Sequence, residues 1–330
     1  MPFVPIVSFP RNNKGGYTPQ TSGGARRSAQ SKSPAVHPKA AAPPQPSFAA
    51  TEQTLIYSDQ KSLSSTALTQ GNTVVFPNTD VIEIDLNITM TITGTVSVAN
   101  DVCNVIDHID FFSGTDGSQV STLPGGTYLY DHLVRFFPLK GAYTASSAAP
   151  SNAIGTSATT ATAVLRIPFR MPASTGDSPN KAVIYYATIA TAAGSATSVA
   201  VTNNVYPVYG DAEGLWMVVR AQNVNLVSGL NFLSQLAIPT GYPVAELFLR
   251  TGTLTSLSWF QITNGSVSVL PYTEEAVVAA RDARDFGKAL QSTTLCLDLG
   301  TQFSVGANSQ LYIDCSGAIT PEQLVWVAYQ

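Results

Sequence analysis

Val120, Ser121, Leu123 and Pro124 return in the same order, 147 residues later, as Val267, Ser268, Leu270 and Pro271. The first set closes the segment IDFFSGTDGSQVSTLP (109–124) and the second closes WFQITNGSVSVLP (259–271). Each segment reads as strand, tight turn and second strand, and each runs into a helical stretch, GGTYLYDHLVRFF in the first case and YTEEAVVAARDARDF in the second. The turns hold Asp116-Gly117 and Asn264-Gly265, pairs suited to two-residue hairpins because both central positions need φ > 0. Two readings are open: a chance likeness between hairpins in a Ser/Thr/Val-rich chain, or a repeat of one whole domain. A repeat would start its second copy near residues 185–200. The two units would then be of ~140 residues, too long for a solenoid repeat and right for a complete barrel.

The rest of the body agrees with a β architecture. From Val81 onward, Ile82, Ile84, Leu86, Ile88, Met90 and Ile92 alternate with Glu83, Asp85, Asn87, Thr89, Thr91 and Thr93. Period two over that length puts one apolar face inward and one polar face out. Further strands are expected at 73–76, 107–112, 164–170, 215–221, 245–250, 294–299, 310–314 and 324–329, separated by Gly, Pro, Asn and Asp as in antiparallel all-β domains. Residues 182–201, the longest weakly polar stretch, also read as strands. One segment departs from the pattern. Thr273 is placed to N-cap a helix that begins with Glu274 and Glu275, continues AVVAARDARDF and stops at Gly287. Within it, Arg281 and Asp285 are spaced for an i,i+4 pair.

Charge is unevenly distributed. Residues 1–51 hold Arg11, Lys14, Arg26, Arg27, Lys32 and Lys39 and no acid, a net +6. The remainder holds all 21 acidic residues against 11 Lys and Arg, a net −10. The tail, rich in Pro, Gly, Ser, Ala and Gln, lacks apolar periodicity and is expected to be extended, ordering only against partners. Its cations suit nucleic acid or anionic lipid, and a tail merely kept soluble by them is the other reading. Phosphate binding by all six would be non-specific, with a log–log salt slope of at most ~−4 on a single strand. With 330 residues, 44% of them apolar, the chain can fill more than one core. Charged residues make up only 12%, about half of the ~25% usual in soluble domains, which suits a surface largely covered by neighbours.

Chemistry is sparse. No nucleophile elbow, zinc-protease motif or P-loop occurs. Of the three histidines, His108 sits between Asp107 and Asp110 on an expected strand. There Asp107 should point to the opposite face, leaving one imidazole and one carboxylate, too few for zinc. His132 lies four residues after Tyr128 on the first helical stretch, where packing against that ring is its expected role. Cys103, Cys296 and Cys315 are odd in number and far apart, so free buried thiols are expected, in keeping with a reducing compartment. Trp216, Trp259 and Trp326 fall in expected strands and are read as buried. The opening MPFVPIVSFPRNN is broken by proline and lacks a leading positive region, so it is not read as a signal peptide. Asn87 and Asn264 therefore should not serve as glycosylation acceptors. No uninterrupted apolar run is long enough to span a bilayer as a helix.

The stretches VIEIDLNITMTITGTVSVANDVCNVIDHIDFFSGTDGSQVSTLPGGTYLYDHL (81–133), PVAELFLRTGTLTSLSWFQITNGSVSVLPYTEEAVV (243–278) and TTLCLDLGTQFSVGANSQLYIDCSG (293–317) together resemble the double jelly-roll major capsid proteins of tailless icosahedral viruses. The likeness is greatest to the compact forms in bacteriophages with an internal membrane. It covers most of 52–330 and is one of pattern, since this family has no short diagnostic motif. The resemblance implies an all-β chain: an extended basic arm over 1–51, a first eight-stranded jelly-roll barrel over 52–195 and a second over 196–330, with a short helix in each. It also implies a non-enzymatic protein without cofactors that assembles in the host cytoplasm as homotrimeric, pseudo-hexagonal capsomers of a virion shell. The partners implied are itself, other capsid proteins such as a penton, and genome or internal membrane through the inward-lying arm.

Two competing readings follow from the same residues. A single jelly-roll coat protein of a small RNA virus, with arm, shell and projecting domain, matches the arm but not the internal echo, since shell and projection need not repeat. A surface adhesin or carbohydrate-binding β-sandwich matches the Ser/Thr-rich strands but lacks a secretion signal and the exposed aromatic residues that sugars require.

Overall fold

The computed structural model describes residues 55–96, 100–136, 153–156, 158–250, 256–285 and 294–330. The basic arm expected over 1–51, with Arg11, Lys14, Arg26, Arg27, Lys32 and Lys39, lies outside them.

The chain builds two sandwiches of four-stranded antiparallel sheets. In the first, β1 (Tyr57–Ser62), β10 (Ala196–Tyr209), β3 (Val81–Gly94) and β8 (Thr160–Met171) lie side by side in that order. They face a sheet ordered β2 (Thr69–Val75), β9 (Lys181–Tyr186), β5 (Ile106–Phe112), β6 (Gln119–Pro124). A small ladder joins β4 (Asn100–Asp101) to β7 (Ala153–Ile154). In the second sandwich one sheet is ordered β11 (Met217–Leu226), β18 (Ile319–Tyr329), β13 (Pro243–Arg250), β16 (Thr294–Ser304). The other is ordered β12 (Gly229–Leu233), β17 (Ser309–Cys315), β14 (Leu257–Asn264), β15 (Val267–Glu274). Strand for strand, first, eighth, third and sixth of each set form one sheet and second, seventh, fourth and fifth form the other. This is the jelly-roll order, present twice. Helix α1 (Gly126–Phe136) follows the β5–β6 hairpin and α3 (Glu275–Asp285) follows the β14–β15 hairpin, while a single turn, α2 (Ile189–Ala193), leads into β10. The sequence echo is thus the same hairpin-plus-helix unit at the same place in each barrel.

The boundary expected at 195/196 falls one strand early. β10 begins at Ala196, yet it pairs with β1 and β3 of the first barrel along its length. The sheets change over between Tyr209 and Met217. Asn203, Asn204 and Pro207 dilute the apolar pattern there, and the strand's role is set by its neighbours. Pro207 is tolerated because β1 ends opposite Val205. Beyond that point no described strand pairs with that edge of β10, and a missing N–H there leaves no described ladder bond unmade.

Strand β3 buries Ile84, Leu86, Ile88, Met90 and Ile92 in the barrel as the alternation requires. At its start a register shift between Val81 and Glu83 turns Val81 inward, and Ile82 instead packs over Gly210. Asp85, on the outer face, is covered by a bidentate pair with Arg166 (3.0 and 3.2 Å). The N-cap expected at Thr273 is not formed. β15 runs on through Glu274, so Thr273 stays extended and donates its hydroxyl to the Pro271 carbonyl at 2.8 Å. The stop expected at Gly287 lies outside the described residues, as does the side chain of Asp285. Arg281 and Asp282 instead grip β16 by the backbone of Cys296, the guanidinium donating to its carbonyl and the carboxylate accepting from its N–H.

Candidate assembly surfaces

Two apolar cores form, and residues of the second barrel belong to both. Leu247, Leu249, Leu324, Trp326 and Ala328 point into the second barrel, while Phe248, Cys296, Val325 and Val327 of the same sheet join the core of the first. Sheet β11-β18-β13-β16 is therefore buried on both faces. That explains why LVWVA (324–328) and LFL (247–249) are continuous apolar runs, as in strands covered on two sides.

What covers the outer face is α1, together with β6. Tyr128 meets Phe248 edge-on at 5.2 Å between ring centres. Arg250 donates to the Thr127 hydroxyl, and Thr294 donates to Asp131 at 2.7 Å. Ser121 on β6 accepts the backbone N–H of Val219 at 2.8 Å, and Arg220 donates to the Gln119 carbonyl at 3.3 Å. Arg135 closes the joint with a 2.6 Å bond from Nε to Glu246 Oε1, and its Nη2 lies 3.6 Å from Asp298. Glu246 Oε2 is buried and has no hydrogen-bond partner among the described residues. Burial pushes the Glu246 carboxyl up to about 7, with Arg135 opposing and Asp298 and Asp282 adding to the rise.

The two histidines among the described residues, His132 and His108, are accounted for locally. His132 is fully buried on α1, where its Nε2 donates to the Pro168 carbonyl (3.1 Å) and its Nδ1 accepts from the Tyr128 hydroxyl (3.2 Å). The expected partnership with Tyr128 is present. Burial lowers its pKa to about 4, the Pro168 bond opposing. The unfolded chain, with its imidazole near 6.5, takes up the proton first, so the contribution of this site is complete above pH 6.5 and declines as pH falls toward 4. The span is worth about 3 kcal/mol. His132→Gln is expected to remove this contribution, so that urea midpoints of the variant rise relative to those of the unmodified protein as pH falls from 6.5 toward 4. An unchanged slope would assign it elsewhere.

His108 departs from expectation. A register shift between Ile106 and His108 puts Asp107 and His108 on the same outer face, 2.6 Å apart. A bulge inserts one extra residue and so cancels the alternation. With Asp110 3.7 Å away on Nε2 and Tyr185 stacked at 4.3 Å, the ring is held by carboxylates and an aromatic. Among the described residues no group of three His, Cys, Asp or Glu is arranged to hold a metal ion, and no helix is long and apolar enough to cross a membrane. None of the three cysteines forms a disulfide, and all three are buried.

Of the three tryptophans, Trp326 is fully buried and Trp216 is wedged between the two cores. Trp259 was expected inside but is half-buried on the outer face of β14, its ring 4.9 Å from that of Tyr272 of β15 and tilted by 35°. Across the same sheet Phe232 lies 5.3 Å from Tyr312, and Leu230 and Phe232 are exposed. The matching sheet of the first barrel presents Asp107, His108, Asp110, Gln119 and Thr122 instead, linked by hydrogen bonds such as Thr122 to Asp110 at 2.7 Å. The two barrels share a strand order but not an outer surface.

No protein-family model matches the chain, and no curated protein matches it by sequence. Solved structures do match. The STIV MCP is 12% identical, with a TM-score of 0.58 over 83% of this chain and 96% of that one. The major capsid protein P2 of bacteriophage PM2 is 13% identical, with a TM-score of 0.51 over 82% and 96%. VP54 of PBCV-1, fitted into a reconstruction of the virophage Sputnik, is 8% identical, with a TM-score of 0.52 over 86% and 96%. At such identities the likeness is one of architecture, and it extends over nearly the whole of each neighbour. The chain has the double jelly-roll fold of the major capsid proteins of tailless icosahedral viruses.

Proposed function

We propose that this chain is a major capsid protein whose copies assemble as pseudo-hexameric trimers into an icosahedral shell. The observation that carries this reading is the presence of two barrels of identical strand order in one chain, over a span that covers 96% of the STIV MCP and of the PM2 protein P2. Three such chains supply six similar barrels, the number a hexagonal tile needs. The coat-protein reading with one shell barrel and a projection is disfavoured, because the second half repeats the first. In this proposal the protein is structural, resides in the virion and works by repeated weak contacts between rigid barrels. Its partners are further copies of itself, a penton protein at the vertices, and genome, internal membrane or neighbouring subunits through Arg11, Lys14, Arg26, Arg27, Lys32 and Lys39.

Negative-stain microscopy and mass photometry of the full-length protein test the proposal. Threefold particles with hexagonal outline, or shells made of them, are the expected result; a strict monomer at all concentrations would refute it. Deleting residues 1–48 is expected to leave a folded body with unchanged thermal midpoint but to impair shell formation, as judged by sedimentation of particles. An unfolded product would instead show that the arm is part of the fold.

A further inference from the structure

The outer face of sheet β12-β17-β14-β15 carries aromatic rings where the matching face of the first barrel carries a closed polar network. Strand register lays its side chains out in two rows. Asp314 of β17 stands between Leu230 of β12 and Trp259 of β14, and Tyr312 stands between Phe232 and Gln261. Residues directly opposite share a face, so rings alternate with an amide and a carboxylate across four strands, a platform of ~14 Å. Trp259 and Tyr312 are half-buried, and each lies beside a more exposed ring, Tyr272 at 57% and Phe232 at 51%. Neither pair is stacked flat, the planes being tilted by 35° and 55°, which leaves ring faces turned to solvent.

The polar groups decide what such a face can hold. Gln261 and Asp314 have no side-chain hydrogen-bond partner among the described residues. An apolar protein surface laid over the rings would strip water from both and return nothing, which is costly. A sugar meets both demands. Its C–H faces lie on the rings, whose π-faces are negative. Its hydroxyls donate to the Asp314 carboxylate, an acceptor only, and pair with the Gln261 amide, which donates and accepts. Charge narrows the class further. Asp314 in the platform, Glu274 opposite Trp259 and the acidic body as a whole repel carboxylated or sulfated sugars.

The first barrel has no equivalent. There Gln119 and Thr122 both donate to Asp110, at 2.8 and 2.7 Å, and the Tyr185 ring is covered by His108. Those groups satisfy one another, and the difference argues against a contact made alike by both barrels. Trp259, on the outer face, supplies the exposed aromatic surface that sugars require.

We propose that the β12-β17-β14-β15 face binds neutral polysaccharide displayed on a cell surface, a short run of sugar units per copy. An open face without walls holds one oligosaccharide weakly, with a Kd on the order of 1 mM. It becomes effective where many copies meet a repeating polymer. Binding belongs to the single chain, while the cell-surface source rests on the capsid reading.

Saturation-transfer NMR of the full-length protein with cellohexaose, mannohexaose and laminarihexaose reads the site directly. At least one should receive saturation at its C–H protons, and hexagalacturonate should not. Tyr272→Ala and Phe232→Ala, both at exposed positions, are each expected to weaken binding about 10-fold with unchanged thermal midpoints. Gln261→Leu, which keeps the rings, should weaken it as well. His108→Ala, on the matching face of the first barrel, is the control and should bind as the unmodified protein does. Absence of binding by all three neutral probes at millimolar concentration, undiminished binding by Tyr272→Ala and Phe232→Ala, or preference for hexagalacturonate would overturn the proposal. So would loss of oligomers in Phe232→Ala with no sugar bound by the unmodified chain, which would assign the face to a contact between copies. Sugar binding by a chain that never forms threefold particles would uphold the site and overturn the capsid reading on which its source rests.

Discussion

Gly125→Ala is expected to destabilise the protein by about 3 kcal/mol or more, at the upper end of what overpacking costs. Gly125 links β6 to α1 and donates its N–H to the Asp107 carbonyl at 2.7 Å. A Cβ there would overlap the Ile106 carbonyl and lie 2.9 Å from that of Asp107. Both obstacles are backbone of β5, a strand paired on both edges, so neither can swing aside as a side chain would. The helix would have to lift from the barrel, carrying Tyr128 and His132 out of their contacts. Gly155→Ala is the control: a Cβ at that position meets nothing within 4 Å, and the change should stay within about 0.5 kcal/mol. Urea unfolding of the two variants compares them directly, and equal midpoints would show that α1 has slack at its start.

Arg135→Met is expected to cost about 3–5 kcal/mol at pH 8.5, the usual consequence of stranding one partner of a buried pair, and distinctly less at pH 5. The pH dependence follows from Glu246. Its folded-state pKa of about 7 exceeds the ordinary value near 4.5, so the native state holds the extra proton between those values. Stability from this site is complete below pH 4.5 and is lost as pH rises through 7, a span of about 3 kcal/mol. At pH 5 the carboxyl is already neutral in the folded state, and removing Arg135 strands no charge. Loss of the guanidinium also raises the Glu246 pKa further, extending the sensitive range upward. A cost independent of pH would show that Glu246 stays ionised. Between pH 4.5 and 6.5 the slopes of Glu246 and His132 have opposite sign. The unmodified protein should therefore be nearly flat there, and His132→Gln should expose the Glu246 slope, with stability rising as pH falls from 6.5 to 4.5.

The parts of the fold legible in the sequence are those where one physical constraint dominates. The alternation of β3 survives because one face is in the barrel and the other in solvent or under an ion pair. The hairpin turns were legible only in their glycines: Gly117 and Gly265 take positive φ (72° and 62°), but Asp116 and Asn264 do not; residues 113–118 separate β5 from β6, and Asn264 pairs with Val267 so that the second turn is Gly265-Ser266. What escaped notice depends on neighbours. β1, with sequence YSDQKS, is polar because it is an edge strand, and Asp59 in it is buried among Asn72, Lys61 and Tyr186. The Asp107–His108 pair needs a bulge that alternation cannot foresee. Trp259 lies in a strand as expected but on the solvent face, a choice made by register. The assembly surfaces were half legible: the Val-Ser echo marked both β6 and β15, but only the fold shows that one pair is spent inside the chain and the other is exposed.

The sheet shared by both cores also bears on how the chain is made. Tyr128 leaves the ribosome more than a hundred residues before Phe248, which meets it edge-on, and before Val325 and Val327, which join the same core. Through that interval the nascent first barrel carries an uncovered apolar wall, at a synthesis rate of about 5–20 residues per second. A chain interrupted before Leu324 would retain that wall permanently. Incomplete products of this protein should therefore precipitate or be captured by chaperones, whereas full-length chains should stay in solution.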